Sequence, residues 1–209
     1  MKMVLSLKKK WFYFTIFLVT CIVCIQVLFI INKPWVSDYW EHKAVFLELY
    51  RHPVNPDHAV VNVKSQHPFF SPYVVAFAYA GRLLSINPHS LFDIISLFNL
   101  LFFLCSVVLL ERLVVKGKNQ PKSFVLLLLA ILFLWGIYPP YFSSFYHFVT
   151  LFYTSAYPAT FAFCLAVLSG FLHNKLITEN YNRARQIAAF FFCTTLNWSI
   201  LLILSLIHI

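Results

Sequence analysis

The sequence predicts an all-α integral membrane protein with about five membrane-spanning helices. Of its 209 residues, 61% are hydrophobic and 11% are charged, whereas soluble domains are about half apolar and about a quarter charged. The apolar residues are concentrated in long runs separated by short basic segments, which is the pattern of spanning helices. The net charge of +9 does not indicate nucleic-acid binding, because most Lys and Arg residues flank the apolar runs.

Five apolar runs are candidate spans, since about 20 helical residues cross the hydrocarbon core of a bilayer. They are residues 11–31, 91–115, 124–138, 158–172 and 187 onward. The third and fourth runs are short unless interfacial aromatic residues such as Trp135, Tyr138 and Tyr157 extend them. All ten prolines lie outside the interiors of these runs. Proline lacks the backbone N–H group that a helix interior needs, so its positions support these limits.

Three short basic segments orient the predicted spans. Residues 1–10, 112–122 and 174–185 hold eleven of the sixteen Lys and Arg residues, which predicts that all three segments are cytoplasmic. The N-terminus is then cytoplasmic, and residues 33–89 form a long first outer loop. We therefore expect a multi-pass protein of the cell membrane, that is, the cytoplasmic or inner membrane.

A moderately apolar stretch, residues 72–84, lies within this outer loop. It contains Arg82 and is too short for a full span, so we predict that it forms an interfacial helix. A re-entrant segment and a helix buried under the loop are the two alternatives. In each case the stretch leaves the orientation of the neighbouring spans unchanged.

The last six residues predict that the chain is incomplete. Residues 204–209, with the sequence Leu-Ser-Leu-Ile-His-Ile, look like the translation of a transposon end used in sequencing-library adapters. Such a scar is excluded from reasoning about the fold. We therefore treat residues 1–203 as a single, incomplete membrane domain. The alternative is chance, because Leu, Ile and Ser are common in apolar helices.

The first outer loop carries the candidate chemistry. Between residues 33 and 73 lie four of the seven acidic residues and four of the eight histidines. Asp38 follows the first span closely, and Glu41 lies three residues later, so both carboxylates share one face if the segment is helical. Such a pair can bind a divalent cation, Mg or Mn, or act as a general base near a membrane-embedded substrate. The alternative is that both acids are simply solvated.

Basic and imidazole side chains of the same region are candidate substrate-binding groups. They comprise Arg51, His52, His58, Lys64, His67 and Arg82. Lys and Arg can hold a phosphate, although cations beside lipid headgroups also serve as anchors. The histidines lack the i, i+4 spacing of a zinc site and the loop has no cysteine, so metal binding by His52 and His58 is kept as a third hypothesis.

Ionisable residues are rare within the predicted spans. Only the second span has them, at its two ends, which argues against ion-coupled transport in this portion of the chain. Asp93, at the outer start of that span, follows Ser90 by three residues. This is the spacing of a capping box, so we predict that Asp93 helps to cap the helix rather than to catalyse a reaction.

The arrangement resembles the C-type superfamily of membrane glycosyltransferases. A basic N-terminus leads into one span, acidic residues begin a long outer loop, and a helix near residues 73–84 precedes the second span. The resemblance covers residues 1–115. It implies transfer of a sugar from a polyprenyl-phosphate donor to an acceptor on the outer face of the membrane, with Asp38 as the catalytic acidic residue and Glu41 as a second acid. It also implies more than five spans, in agreement with truncation.

The expected partners are therefore the lipid bilayer and a polyprenyl-phosphate sugar donor, and no nucleic acid. No cofactor beyond the divalent cation is indicated. The alternative function is a non-enzymatic multi-pass membrane protein, either a carrier of a lipid-linked substrate or an assembly subunit. That alternative predicts tolerance of substitution at Asp38 and a functional groove between the spans.

Overall fold

The computed structural model describes residues 2–32, 38–61, 70–115, 121–134, 148, 150–178 and 186–195. Within these parts the regular structure is entirely helical, which confirms the predicted all-α class. The helices are α1 (Lys2–Asn32), α2 (Tyr39–Arg51), α3 (Pro72–Leu83), α4 (Pro88–Val114), α5 (Pro121–Leu134), α6 (Leu151–Thr154), α7 (Pro158–Thr178) and α8 (Gln186–Thr195). The predicted adapter-derived residues 204–209 lie outside the described parts.

Three of the five predicted spans are long and apolar enough to cross a membrane. These are Lys9–Asn32 within α1, the whole of α4, and the whole of α7. Helices α5 and α8 are apolar but shorter than a span over the residues described, so the predicted count of about five stays a prediction. The predicted orientation, with a cytoplasmic N-terminus, also stays a prediction.

Prolines and polar caps set where several helices begin. Four helices start at a proline, namely Pro72, Pro88, Pro121 and Pro158, because the first helical position requires no backbone N–H donor and favours the φ angle of proline. Ser71 caps α3 by accepting a hydrogen bond from the amide of Val74 at 3.4 Å. These local signals explain why the helices begin where the chain leaves a loop.

Helix α4 is the centre of the bundle. It packs against α1, α5 and α7, and the hairpin formed by α2 and α3 packs on its N-terminal half. Two apolar clusters result. The first joins α2, α3, the start of α4 and the start of α7, and the second joins α1, the rest of α4, α5 and residues 151–152.

Helix α3 runs antiparallel to the first third of α4. Near its start, Tyr73 contacts Asn99, and near its end, Gly81 lies against Leu91. Each helix advances eight residues between these contacts, a rise of about 12 Å for both. The predicted helix at this place is confirmed, whereas its position in the interface, and the re-entrant and buried alternatives, stay predictions.

Candidate functional site

Asp38 and Glu41 lie at the start of α2. Asp38 is the residue before the helix, and its backbone carbonyl accepts a hydrogen bond from the amide of His42 at 2.9 Å. Glu41 is in the first turn, and both acids are partly buried. Only Glu41 is inside the helix, so the expectation that both carboxylates share one helical face does not apply as stated. The Asp38 side chain accepts no capping hydrogen bond from α2.

The carboxylate of Asp38 lies near Tyr153 of α6. Burial raises the pKa of the Tyr153 hydroxyl, and the nearby negative charge of Asp38 raises it further. The ring of Tyr153 lies 6.2 Å from that of Tyr157, which in turn lies 4.1 Å from the imidazole of His42. We call Asp38, His42, Tyr153 and Tyr157 the Asp38 corner.

Aromatic contacts hold the Asp38 corner in place. Tyr39, which directly follows Asp38, is buried between two rings, with centroid distances of 5.4 Å to Phe29 of α1 and 5.4 Å to Phe92 of α4. The start of α2 is therefore fastened to two candidate spans. A carboxylate beside such an anchor is held more rigidly than one in an open loop.

Asp93 makes an ion pair instead of a cap. Asn87 caps α4, since its side-chain oxygen accepts from the amide of His89 at 3.0 Å and from that of Ser90 at 3.5 Å. Asp93 instead lies 3.2 Å from the ammonium group of Lys43 on α2. The capping-box prediction for Asp93 is therefore wrong, because the helix begins two residues earlier than Ser90 and the carboxylate has a partner on another helix.

Arg51, His52 and Arg82 gather at the opposite end of α2. The guanidinium of Arg82 donates to the carbonyl oxygens of Tyr50 and Arg51, both at 3.1 Å. These carbonyls belong to the last turn of α2, where intrahelical donors are lacking, so Arg82 caps the helix. Its predicted role in substrate binding stays a prediction.

A hydrogen-bonded acid lies at this same end of α2. Glu48 contacts Nδ1 of His52 at 2.8 Å and accepts from the backbone N–H of Asp57 at 3.0 Å. Partial burial acts to raise the pKa of Glu48, but these hydrogen bonds and the charges of His52 and Arg51 outweigh it and lower the pKa below its ordinary value. Glu48 was not among the predicted site residues, although its i, i+4 spacing to His52 is visible in the sequence.

The two groups of predicted site residues are thus separated by the length of α2. Arg51 follows Asp38 by thirteen residues along the helix, a rise of about 20 Å. The predicted catalytic acids and these predicted binding groups do not meet in one place. Lys64 and His67, the other two cationic candidates of the loop, lie outside the described residues.

The geometry of His58 bears on the metal hypothesis. Its Nδ1 atom accepts from the backbone N–H groups of Val60 at 3.3 Å and Val61 at 3.2 Å. These hydrogen bonds engage the Nδ1 lone pair of His58, and metal binding by His52 and His58 stays a hypothesis. Across the described parts of the chain, no three His, Cys, Asp or Glu residues lie together as a possible metal site.

A second polar cluster lies inside the bundle. It was not predicted from the sequence, because only ionisable residues were considered within the spans. Its members, which we call the buried polar seam, are Gln26, Tyr73, Ser96, Asn99 and Ser155. None is ionised, so a search for charges within spans does not find them. Two visible signals were available: Gln26 is a lone amide in the apolar run 11–31, and Ser96 and Asn99 share a helix face at i, i+3.

Over the described residues, these features define an all-helical protein with three helices long and apolar enough to cross a membrane, with polar groups at both ends of α2 and with the buried polar seam. No family model, curated protein or solved structure matches the chain.

Proposed function

We propose that this chain is part of a membrane glycosyltransferase that moves a sugar from a polyprenyl-phosphate donor to an acceptor on the outer face of the membrane. The supporting observation is the position of Asp38. Its carboxylate is partly buried, does not cap α2, and lies beside Tyr153 where α2 is fastened to α1 and α4. A general base must be accessible to the substrate, and its side chain must be held in a fixed position.

In the proposed reaction, Asp38 accepts the proton of the acceptor hydroxyl. The hydroxyl oxygen forms a bond to the anomeric carbon of the donor sugar. The bond between that carbon and the phosphate oxygen breaks, and polyprenyl phosphate leaves with the electron pair. If the reaction uses Mg or Mn, the carboxylate oxygens of Asp38 and Glu41 are the hard ligands that would hold the cation and stabilise the departing phosphate.

The proposal is tested with the full-length protein in membrane vesicles supplied with radiolabelled polyprenyl-phosphate sugars. Asp38→Asn should reduce transfer about 100-fold or more, as expected for loss of a general base, while the amount of protein in the membrane stays constant. Asp57→Asn is the matched control, because Asp57 is an exposed acid at the far end of α2. Equal rates for the two variants would overturn the assignment of Asp38.

A second candidate function is a non-enzymatic membrane protein, either a carrier of a lipid-linked substrate or an assembly subunit. It is favoured by the separation of Asp38 from Arg51, His52 and Arg82, and by the use of Arg82 to cap α2. This candidate predicts that no donor is turned over and that Asp38→Asn is tolerated. It also predicts that a lipid-linked sugar co-purifies with the intact protein, which mass spectrometry of extracted lipids would detect.

A further inference from the structure

The buried polar seam joins four parts of the bundle, namely α1, α3, α4 and the segment that follows α6. The amide nitrogen of Gln26 on α1 contacts the hydroxyls of Ser96 on α4 and Ser155, both at 3.1 Å, and the carbonyl oxygen of Phe152 at 2.9 Å. The amide nitrogen of Asn99 donates to the carbonyl oxygen of Ser155 at 2.8 Å and to the hydroxyl of Tyr73. Gln26 and Asn99 are both fully buried, with 0% exposure.

Backbone carbonyls fix the orientation of both amides. A carbonyl oxygen only accepts hydrogen bonds, so the group that faces the carbonyl of Phe152 or Ser155 must be the amide nitrogen. The side-chain oxygens Oε1 of Gln26 and Oδ1 of Asn99 then point elsewhere. Neither oxygen accepts a hydrogen bond from any residue that the structure describes.

A small cavity adjoins the seam. It has a volume of about 10 Å³ and is lined by Tyr73, by His42 and by apolar side chains that include Phe46 and Ile95, whereas Gln26 and Asn99 do not line it. This volume is about that needed by one water molecule and is too small for a larger ligand. The Tyr73 hydroxyl accepts a hydrogen bond from Asn99, so its own proton is directed to another acceptor.

We propose that the buried polar seam is an internal hydration site, in which ordered water donates hydrogen bonds to Oε1 of Gln26 and Oδ1 of Asn99. The ligand must be a donor, because both buried atoms are acceptors. It is neutral, because the seam contains no charged side chain, and it is small, because Gln26 and Asn99 are both 0% exposed. Buried polar groups are normally satisfied in this way when protein partners are missing.

The seam lies far from the end of α4, so its polar atoms need hydrogen-bond partners inside the bundle. Asn99 lies eleven residues beyond the start of α4 at Pro88, which is about 16 Å along a candidate span. Hydrocarbon supplies no hydrogen bonds at such a depth, so the two oxygens depend on water carried inside the bundle. The inference is independent of sugar transfer and holds equally for a non-enzymatic protein.

The direct test is water-edited solid-state NMR of the unmodified full-length protein in lipid bilayers, with water protons as the magnetisation source. The side-chain carbonyl carbons of Gln26 and Asn99 should receive magnetisation several-fold faster than the carbons of Leu100 and Phe103, which are equally buried on α4. If all four residues show the same slow transfer, the seam is dry and the proposal fails.

Variants on α1 provide the matched comparison. Gln26→Leu removes one acceptor and should slow the transfer at Asn99. Thr15→Val is the control, since the hydroxyl of Thr15 donates within α1, to the carbonyl of Trp11 at 2.8 Å, and the change should leave the transfer at Asn99 unchanged. An unaltered transfer at Asn99 in Gln26→Leu would contradict a water shared by the two amides. The measurement on the unmodified protein decides the proposal even if Gln26→Leu does not fold.

Discussion

The ammonium group of Lys43 lies 3.2 Å from the carboxylate of Asp93, and this pair joins the middle of α2 to the beginning of α4. Both side chains are mostly covered, with 17% and 21% exposure. Lys43 also lies over the ring of Phe92, 5.6 Å from its centroid. The charge of Asp93 has a further effect on Tyr39: burial raises the pKa of this hydroxyl and the carboxylate adds to the shift. The pair therefore helps to position the helix that carries the Asp38 corner.

Removing one member of this pair should destabilise the protein. We expect Lys43→Met or Asp93→Leu alone to reduce the free energy of unfolding by about 1–3 kcal/mol, because each leaves a largely buried charge without its partner. The double variant should lose less than the sum of the two. Unfolding in detergent micelles, arranged as a double-mutant cycle, measures the coupling.

The pair of Glu48 and His52, whose histidine is exposed, is the control for this cycle. The side chain of His52 is 58% exposed, so His52→Gln should change stability by no more than about 0.5 kcal/mol. Single variants at Lys43 and Asp93 that behave like His52→Gln would show that the pair contributes nothing to the docking of α2.

Gly81 should be intolerant of any side chain. A Cβ atom at this position would overlap Cδ2 of Leu91 and would lie 3.3 Å from Cε2 of Tyr50. We expect Gly81→Ala to cost about 1–3 kcal/mol by overpacking the contact of α3 with α4. Thermal unfolding in micelles measures the loss.

Gly170 offers a matched comparison within α7. A Cβ atom there would meet only Cδ1 of Leu113, at an ordinary 3.9 Å. Gly170→Ala should therefore raise stability by up to about 1 kcal/mol through helix propensity. Equal effects at the two glycines would mean that α3 does not approach α4 as closely as described.

Acid should weaken the contact between the end of α2 and the turn at Asp57. The folded pKa of Glu48 lies below its ordinary value of 4.5, so its stabilising contribution is complete above that value and is lost as the pH falls through the folded pKa. Unfolding measured from pH 7 to pH 3 should show stability decreasing below about pH 4.5. Glu48→Gln should flatten this part of the profile, and a profile identical to that of the unmodified chain would contradict the prediction.

Much of the helical architecture could be predicted from local sequence. The apolar runs 91–115 and 158–172 correspond to α4 and α7, and the helix predicted near residues 73–84 is α3. These predictions succeed because helix length, apolar run and initial proline are properties of neighbouring residues. The same local logic failed at Asp93, where the S-x-x-D spacing suggested a cap but a lysine fifty residues away provides the partner.

The sequence by itself determined the all-α class and the apolar helices suited to a bilayer. Only the tertiary structure decided which polar residues meet. It separated Asp38 from Arg51, His52 and Arg82 by the length of α2, and it assembled the buried polar seam from helices distant in sequence. The physical reason is that helix formation depends on residues within a few positions, whereas hydrogen bonds between side chains depend on how whole helices pack.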